Sequence, residues 1–548
     1  MHLAAAFLLC LSGADAQSHS AKDKKVTKKQ LGWNHAPVNK DNELIARNYP
    51  DRDDIKLLSP AFTMPETVPD GFTNGTAGPT DDATLDYFIR SIANRNDWFN
   101  YQNGELISEE GHDIPHVFLT ADATASSNSS KLRVYIQGAI HGNEPAGDQG
   151  ILALLGKMDA NQTWTASLLE RLDILILPRY NVDGVAYFQR ELATNVDPNR
   201  DHTKLNRQQS RDIKKLVNAF NAHVVIDMHE YTADRIYGGV YRHGQDALIA
   251  SGRNLNTHAT IRNLTEKLFS KGITDDLEAK GFRWNPYVTG PTNETIGSPI
   301  VFEEAVTSPT SGRNAYGLTQ AVALLFELRG IRLADQHFQR RTATALTMLE
   351  SALNIAAGNA DYVMDTIERS IDDFINGEDD IILTDYQESI NRTMTMVDIR
   401  NGTVLEVPVE FLHSSPATAN LTRSRPEAYL IPRNRADLAE KLQIMGLEVE
   451  TLRHEYRGPV ETFNITSSTL EREFYEGIVR NHVTTEPMQK EVILRPGSFR
   501  ISTRQKNAAL AFICLEPEVP ESFVTFGQLH VEEGDEYPIF RVISQSRN

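Results

Sequence analysis

Apolar and polar positions follow two different patterns along the chain, and the first pattern covers residues 81–365. There, short apolar runs alternate with longer segments in which apolar residues recur at helical spacing. The apolar runs, which predict buried strands, are LRVYIQGA, LDILILPRY, HVVIDMH and AVALLFELRG. The helical patterns are ATLDYFIRSIA, AGDQGILALLGKM, QQSRDIKKLVNAFN, a stretch near Arg253 to Lys271, and another from Ala334 to about Ala357. This alternation predicts an α/β domain with a mixed, mostly parallel sheet and flanking helices.

The second pattern begins near residue 375, where helical spacing gives way to shorter strand-like segments separated by Pro, Gly and polar turns. These segments are TMTMVDIR, TVLEVPVEFL, AYLIPR, LEVETLRHEY, EVILRPGSFRIS and EYPIFRVIS. They predict a smaller β-rich domain over residues 375–548. Residues 17–80 begin with many lysines and continue with Pro, Gly and Asp, which predicts an irregular N-terminal extension, with a removable propeptide as an open alternative.

The first residues have the composition of a secretory signal. An apolar stretch from Leu3 to Leu11 is followed by Ala14 and Ala16, which form an A-x-A cleavage pattern and predict a signal peptide over residues 1–16. Its removal leaves Cys514 as the remaining cysteine, so we expect no internal disulfide. No later segment offers about 20 consecutive apolar residues, so no membrane-spanning helix is expected.

Surface chemistry agrees with a secreted protein. The net charge of −19 argues against a nucleic-acid partner, which would need a basic footprint. N-x-S/T acceptor motifs predict N-linked glycans on an extracellular protein. These motifs stand at Asn74, Asn128, Asn161, Asn263, Asn293, Asn391, Asn401, Asn420 and Asn464.

Candidate metal ligands occur where two apolar strands end. In VYIQGAIHGNEPAGDQG, His141 and Glu144 follow the first strand in a turn that contains Gly142. This pair alone is compatible with a polar surface turn or with two metal ligands. His229, at the end of the strand HVVIDMH, supplies a third N/O donor, and a catalytic zinc site needs three protein ligands and one open position. The all-N/O set suits zinc in a chain without usable thiols.

A fourth candidate, Glu327, lies inside the apolar run ALLFELRG. Carboxylates are rarely buried without a partner or a task. Beside a zinc-activated water, this carboxylate could act as a general base. An ion pair with Arg329 or Arg332 is the alternative interpretation.

Taken together and in order, His141-Gly-Asn-Glu144, DPNRD, the strand-end His229 and FELRG resemble the zinc metallocarboxypeptidases of the carboxypeptidase A/B type. The resemblance covers roughly residues 80–360 and therefore implies a carboxypeptidase-like fold and a catalytic domain over residues 81–365. It implies that His141, Glu144 and His229 bind one Zn²⁺ and that Glu327 is the catalytic base.

The resemblance also implies roles in substrate binding. Asn199 and Arg200 in DPNRD match the pair that holds the C-terminal carboxylate of a substrate, and a planar guanidinium suits that task. Asp197 matches the position that orients the first zinc histidine. Arg190 is the candidate for stabilising the oxyanion. Tyr316 is the candidate for the substrate-capping tyrosine.

One position departs from the family pattern, and another lies in a region of the family that shapes the substrate pocket. Glu230 stands between His229 and Tyr231, where the family commonly has a small polar residue. Arg313 lies in the region that often shapes the pocket for the C-terminal side chain, where it could favour an acidic residue.

These observations predict a secreted zinc-dependent exopeptidase that acts on the C-termini of peptides or proteins. One alternative is a zinc-dependent deacylase of N-acyl amino acids, as in the aspartoacylase-like relatives. The other is a catalytically inactive binding protein. A serine hydrolase is not favoured, because the chain has no G-x-S-x-G motif.

Overall fold

The computed structural model describes residues 36–121 and 130–543. The described strands form an eight-stranded, a five-stranded and a six-stranded sheet. The strands are β1 (Phe99–Gln102), β2 (His116–Leu119), β3 (Leu132–Gln137), β4 (Leu172–Leu177), β5 (Val224–Thr232), β6 (Tyr241–His243), β7 (Ala247–Ser251), β8 (Trp284–Pro286), β9 (Val288–Thr289), β10 (Val301–Glu304), β11 (Val322–Ile331), β12 (Ile381–Asp398), β13 (Val404–Arg423), β14 (Ala428–Ile431), β15 (Glu450–Thr451), β16 (Tyr456–Tyr475), β17 (Ile478–Leu494), β18 (Phe499–Ser502) and β19 (Phe540–Val542).

The helices connect these strands and cover the large sheet. They are α1 (Glu43–Ala46), α2 (Pro60–Thr63), α3 (Asp82–Ala93), α4 (Pro145–Ala160), α5 (Gln162–Leu169), α6 (Val182–Tyr187), α7 (Gln208–Phe220), α8 (Ala259–Leu264), α9 (Lys271–Ala279), α10 (Gly312–Gly317), α11 (Phe338–Gly358), α12 (Ala360–Asn376), α13 (Ala436–Ile444) and α14 (Ala508–Leu515). Short 3-10 helices cover Pro65–Thr67, Asp70–Phe72, Pro198–Arg200 and Arg433–Arg435, and a π-helical turn covers Thr265–Ser270.

The eight-stranded sheet has the order β1-β2-β4-β3-β5-β11-β7-β8. Its central strands β4, β3, β5 and β11 are mutually parallel, whereas β2 and β7 pair with them in the antiparallel sense. Almost every residue of the central strands is buried, because helices cover both faces of the sheet. The predicted fold class, a mixed and mostly parallel sheet with flanking helices, is confirmed.

Close helix packing completes the main hydrophobic core. Helix α4 packs against α11, and a Cβ added at Gly150 would lie 2.4 Å from Cβ of Ala345. Any larger side chain at residue 150 would push these two helices apart. Leu152, Leu346 and Leu349 from the same helices are buried in this core.

The β-rich C-terminal region forms two sheets. The hairpin β12–β13 pairs with β6 and β10, which lie before residue 375 in sequence. The six-stranded sheet has the order β15-β18-β14-β19-β16-β17. Described residues on both sides of residue 375 belong to one compact unit, and the predicted domain boundaries stay a prediction.

Three segments differ from the sequence expectations. The helix expected near Arg253 to Lys271 begins only at Ala259 and continues to Ala279. The segment LEVETLRHEY is mostly irregular, with only Glu450–Thr451 in a short strand, and the long strand β16 follows it. The acidic run Ile375–Asp385 has the composition of a solvated turn, but its last part belongs to strand β12, which begins at Ile381.

Candidate active site

Three neighbouring strands end at the same edge of the large sheet, and this edge carries the predicted site. Strand β3 pairs in parallel with β5, and β5 pairs in parallel with β11, so their carboxyl ends lie side by side. The register places Glu327 of β11 directly beside His229 of β5. In open α/β sheets, such an edge is where ligands bind.

The turn between β3 and α4 brings His141 and Glu144 to this edge. A Cβ at residue 142 would lie only 2.0 Å from the backbone carbonyl carbon of Gly184. Gly142 is therefore required by the close approach of two backbones. Pro145 then begins α4, at a position where its missing N–H removes no helical hydrogen bond. The turn buries both the imidazole and the carboxylate.

The side chains of His141, Glu144 and His229 converge on one point. Nδ1 of His141 lies 2.7 Å from Oε1 of Glu144 and 3.1 Å from Nδ1 of His229. Oε2 of Glu144 lies 3.1 Å from Nδ1 of His229. Zinc–nitrogen bonds of about 2.0–2.1 Å place tetrahedral ligand atoms roughly 3.3 Å apart, so this spacing fits one zinc ion. The structure brings the three predicted ligands together.

The far nitrogen of each ligand imidazole faces a buried carboxylate. Nε2 of His141 lies 3.2 Å from Oδ1 of Asp197, and Nε2 of His229 lies 3.0 Å from Oδ2 of Asp227. Zinc-binding histidines usually have such a partner, which fixes the ring and its tautomer. The resemblance predicts Asp197 in this position, whereas Asp227 belongs to none of the motifs that carry the resemblance. Asp227 could have been predicted, because it lies two residues before His229 in the same strand and residues two apart in a strand point to the same face.

The electrostatics of this cluster favour a bound cation. Burial favours the neutral form of Glu144, but His141 and His229 outweigh it and lower the pKa of that carboxyl. Burial alone would lower the pKa of His229, yet Asp227 and Glu144 raise it well above its usual range. The buried carboxylates of Glu144, Asp197, Asp227 and Glu327 bring negative charge into the site. A divalent cation bound to three N/O donors would compensate this charge.

Glu327 is a further carboxylate of the site. Its side chain is only 6% exposed and lines a cavity of about 880 Å³ together with His141 and Glu144. The alternative interpretation, an ion pair with Arg329 or Arg332, is not what the structure shows. Arg329 lies 2.7 Å from Asp41, and Arg332 lies 3.0 Å from Asp234.

Within the part of the chain that the structure describes, the Glu327 carboxylate makes no ion pair. Burial raises its pKa to about 8, and the neighbouring His229 opposes this shift. A buried carboxylate whose pKa lies near neutrality can accept and return a proton during a reaction.

Arg190 also reaches this cluster, although its assignment from sequence depends on chain order alone. Its NH2 and Nε donate to Oδ2 of Asp197 at 2.8 and 3.0 Å. Its NH1 lies 3.1 Å from Nδ1 of His141 and 3.3 Å from Oε1 of Glu144. The guanidinium is therefore held beside the ligands by a carboxylate that also contacts a ligand ring.

Asn199 and Arg200 line the same cavity. The backbone N–H of Asn199 donates to Oδ1 of Asp197 at 2.8 Å, and its side-chain oxygen accepts from the N–H of Gly312 at 2.7 Å. NH1 of Arg200 donates to the carbonyl of Asn199 at 2.8 Å, and Arg200 forms no ion pair with a described residue. Such a guanidinium can bind the carboxylate of a ligand.

The departure at Glu230 has a structural explanation. Because side chains alternate along β5, Glu230 points away from the ligand cluster, and its carboxylate lies 2.6 Å from NH2 of Arg341 in α11. Burial raises the pKa of Glu230 to about 7, although Arg341 lowers it. Only its backbone serves the site, since its N–H donates to Oε2 of Glu144 at 2.9 Å.

Tyr316 does not lie in the cavity, and another tyrosine does. The ring of Tyr316 is buried, edge-on to His202, and its hydroxyl lies 3.3 Å from Oε1 of Gln137. Tyr287, which follows β8, lines the cavity instead. Burial and Glu327 raise the pKa of Tyr287 to about 12. No periodicity or motif singled out this residue.

The tip of the hairpin β16–β17 forms part of the cavity wall. Oε2 of Glu476 accepts a hydrogen bond of 2.9 Å from the backbone N–H of Asp197. Glu476 and Gly477 form the two-residue turn, with positive φ angles of 50° and 76°. The C-terminal region therefore contacts the loop that orients His141 and Arg190.

Comparisons with known proteins agree with this geometry. The family model described as zinc carboxypeptidase matches residues 106–251. A protein named Carboxypeptidase 2 from Trichophyton tonsurans is 49% identical over 519 residues, which covers 94% of this chain and 96% of that protein. Carboxypeptidase 2 from Trichophyton rubrum is 48% identical over 517 residues, with the same two coverages.

Solved structures are more distant. A metallo-carboxypeptidase from Burkholderia cenocepacia is 15% identical and has a TM-score of 0.39, over 50% of this chain and 69% of that chain. The sequence relatives, by contrast, match almost the full length at about half identity. The chain therefore belongs to the zinc carboxypeptidase family, as the resemblance predicts, and is a zinc metallocarboxypeptidase.

Proposed function

We propose that this metallocarboxypeptidase releases the C-terminal residue of peptides with Glu327 as the general base. The observation that carries this assignment is the position of the Glu327 carboxylate. It is buried, lies beside His229, lines the ligand cavity and has no ion-pair partner among the described residues. A carboxylate in that situation is available for proton transfer.

His141, Glu144 and His229 would hold the zinc ion, which supplies a Lewis acid that polarises the scissile carbonyl and makes a water molecule more acidic. Glu327 accepts the proton of the water as its oxygen bonds to the carbonyl carbon. When the C–N bond breaks, the same carboxyl group returns a proton to the departing amine. Burial, which raises the pKa of Glu327, favours the return of the proton, whereas the positive charges of His229 and Arg190 favour the ionised form that accepts it.

Arg190, Asn199 and Arg200 would position the substrate. The guanidinium of Arg190, held by Asp197, lies where it can donate to the oxygen on which negative charge develops. Arg200 and Asn199 would bind the free carboxylate, which places the last peptide bond near the ligands. This arrangement favours exopeptidase over endopeptidase action.

Glu327→Gln tests the proposed base. We expect wild-type enzyme to release single C-terminal residues from a defined peptide mixture, followed by mass spectrometry, and the variant to lose at least about 100-fold in rate. Zinc content, measured separately, should be unchanged, because Glu327 is not a proposed ligand. Glu294→Gln, an exposed carboxylate at the cavity mouth, is the matched control. Equal rates for wild type and Glu327→Gln would reject the assignment.

Secretion and N-glycosylation form the second part of the proposal. Eight of the nine acceptor asparagines are described, and all eight are exposed. Asn128 and the predicted signal peptide, residues 1–16, lie outside the described residues. Among the described helices, none has both the length and the apolar character that a membrane span needs.

A further inference from the structure

Gln137, the last residue of β3, is a fully buried side chain that the proposed mechanism does not use. Strand β3 pairs in parallel with β5, and the register places Gln137 directly beside Asp227. Its Nε2 donates a hydrogen bond of 2.9 Å to Oδ1 of Asp227. The other carboxylate oxygen of Asp227 lies 3.0 Å from Nε2 of His229. The amide therefore binds the same carboxylate that contacts a proposed zinc ligand.

Two tyrosine hydroxyls bind the opposite end of this amide. The hydroxyl of Tyr135 donates to Oε1 of Gln137 at 2.9 Å, and the hydroxyl of Tyr316 in α10 donates to the same oxygen at 3.3 Å. Both rings are buried, and they meet edge-to-face with 5.9 Å between their centres. Tyr316 is thus connected to the metal site, although it does not line the ligand cavity.

These contacts determine which way the amide of Gln137 faces. A carboxamide has one acceptor end and one donor end. Because two hydroxyl groups donate to Oε1, the NH2 group is directed at Asp227. The reverse orientation would place the amide oxygen against the carboxylate oxygen, with no hydrogen between these two acceptors. Buried polar groups are rarely left without partners, so the network has one favourable arrangement.

The orientation of Asp227 follows from that of the amide. A carboxylate bound at one oxygen cannot rotate about its Cβ–Cγ bond without breaking that hydrogen bond. The contact with Gln137 therefore keeps Oδ2 of Asp227 on the side of His229. Space on this side is also limited, because a Cβ added at Gly312 would lie 2.9 Å from Oδ2 of Asp227. The partner of a metal-binding imidazole fixes the orientation of the ring and influences the metal affinity.

We propose that Gln137 is a positioning residue of the metal site, which holds Asp227 and through it the imidazole of His229. The hydroxyls of Tyr135 and Tyr316 hold Gln137 in turn. Gln137 lies outside the lining of the ligand cavity, so its effect is on metal binding and not on contact with substrate. This inference rests on the proposed function, because it takes His229 as a zinc ligand.

Gln137→Met tests this role in the full-length enzyme, because methionine fills a similar volume but its side chain donates no hydrogen bond. We expect the zinc affinity, measured by competition with a chelator, to fall about tenfold, within the range for groups that support metal ligands. Gln149→Met is the matched control, because Gln149 is equally buried but its amide donates to the hydroxyl of Thr80. The control should keep the wild-type affinity. Equal zinc affinity in wild type and folded Gln137→Met would overturn the proposal.

A double-mutant cycle tests whether Gln137 acts through Asp227. Asp227→Ala removes the group that Gln137 holds, so Gln137→Met should cause little further loss of zinc affinity in a protein that already carries Asp227→Ala. Losses that simply add would overturn the route through Asp227, because a general structural role of Gln137 would persist in that background.

Cobalt(II) in place of zinc gives a readout that loss of stability alone would not change, because its visible absorption depends on the geometry of the ligands. The spectrum of Gln137→Met should differ from that of wild type, and the spectrum of Gln149→Met should not. A wild-type spectrum in Gln137→Met would overturn the positioning role.

The paired substitution of Tyr135→Phe and Tyr316→Phe tests the network even if Gln137→Met does not fold. Both rings stay in place, but the two hydroxyls that fix the amide are lost. We expect the zinc affinity to fall about two- to fivefold, since the buried amide oxygen then has no donor and the amide can leave its position. Unchanged zinc affinity in the folded double variant would overturn the proposal.

Failure of the proposed function would look different. If His229→Ala bound zinc as tightly as wild type, His229 would be rejected as a ligand, and the proposed metal site with it. If His229→Ala lost zinc while Gln137→Met kept the wild-type affinity, only the role of Gln137 would be rejected.

Discussion

Each of the two proposed ligand histidines contacts one buried carboxylate. Asp197 also binds Arg190, whereas Asp227 contacts His229 and accepts a hydrogen bond from Gln137. We expect Asp227→Asn to lower zinc affinity by about 10–100-fold, because the amide can still accept a hydrogen bond but carries no charge to increase the basicity of the ring. Competition with a chelator measures this affinity. An unchanged zinc affinity in a folded variant would contradict the role given to Asp227.

Lys214 of α7 is a buried amine without a polar partner. Its Nζ makes no hydrogen bond to a described residue and lies 4.6 Å from the ring centre of Tyr316. Burial lowers its pKa from 10.5 to about 8. Because the unfolded chain holds this proton up to higher pH, Lys214 reduces stability below pH 8, and the penalty disappears as the pH rises toward 10.5.

Lys214→Met should therefore raise the free energy of unfolding at pH 7 by about 1–3 kcal/mol, and this gain should shrink as the pH approaches 10. Urea unfolding of both proteins at several pH values measures the difference, in which the titration of all other groups cancels. A gain that is constant from pH 7 to pH 10 would show that the charge of Lys214 is not its source.

Candidate site residues could be predicted from the sequence where their immediate neighbours in the chain mark them. His141 and Glu144 follow an apolar strand, and His229 and Glu327 lie within two others, so their convergence could be predicted from the parallel order of the strands. Tyr287 could not be found in this way, because only the fold brings it to the cavity. Tyr316 is a candidate from sequence only because it lies upstream of Glu327, and its side chain, on helix α10, is buried.

At the scale of elements, the hairpin β16–β17 connects the C-terminal region to the site. Type I′ turns require positive φ angles at both central residues and favour Asn or Gly there, yet the first position of this turn is Glu476. A non-glycine residue in this conformation costs roughly 1 kcal/mol or more. The hydrogen bond from Asp197 to Glu476 explains why a long carboxylate is placed there.

Glu476→Asn separates the effect of residue 476 on the turn conformation from the effect of its hydrogen bond with Asp197. Asn suits the turn, so the melting temperature should stay equal or rise, but its shorter side chain cannot reach the N–H of Asp197. We expect kcat/KM to fall by about 2–10-fold, the value of one hydrogen bond. Glu473→Asn, an exposed residue of the same hairpin, is the control and should leave kcat/KM unchanged. Unchanged activity in Glu476→Asn would show that the contact only stabilises the fold.

Predicted elements were most accurate where burial was complete. Strands β3, β4, β5 and β11 are almost fully buried and mostly apolar, so their sequence identifies them without tertiary information. Strand β16 was missed because much of its second half is exposed and polar. Its long partner β17 stabilises it through pairing, which a single-sequence pattern does not reveal.

At the scale of the whole molecule, exposed acceptor asparagines cover both predicted domains. They are Asn74, Asn161, Asn263, Asn293, Asn391, Asn401, Asn420 and Asn464. We expect protein secreted from a eukaryotic host to lose mass on treatment with peptide N-glycosidase, and peptide mapping to find several of these sites modified. Asn94, exposed but outside an acceptor motif, should remain unmodified. Mass unaffected by the glycosidase would contradict the glycoprotein assignment.

The contact between Glu476 and Asp197 also has a consequence for synthesis. Glu476 lies 149 residues after Glu327 in the chain. At about 5–20 residues per second, the ribosome needs roughly 7–30 s to add that stretch. During this interval a nascent chain already carries the three proposed zinc ligands and the proposed base, but it lacks the hairpin tip that forms part of the cavity wall. We therefore expect full activity on peptides only after the hairpin β16–β17, and thus most of the polypeptide, has been made.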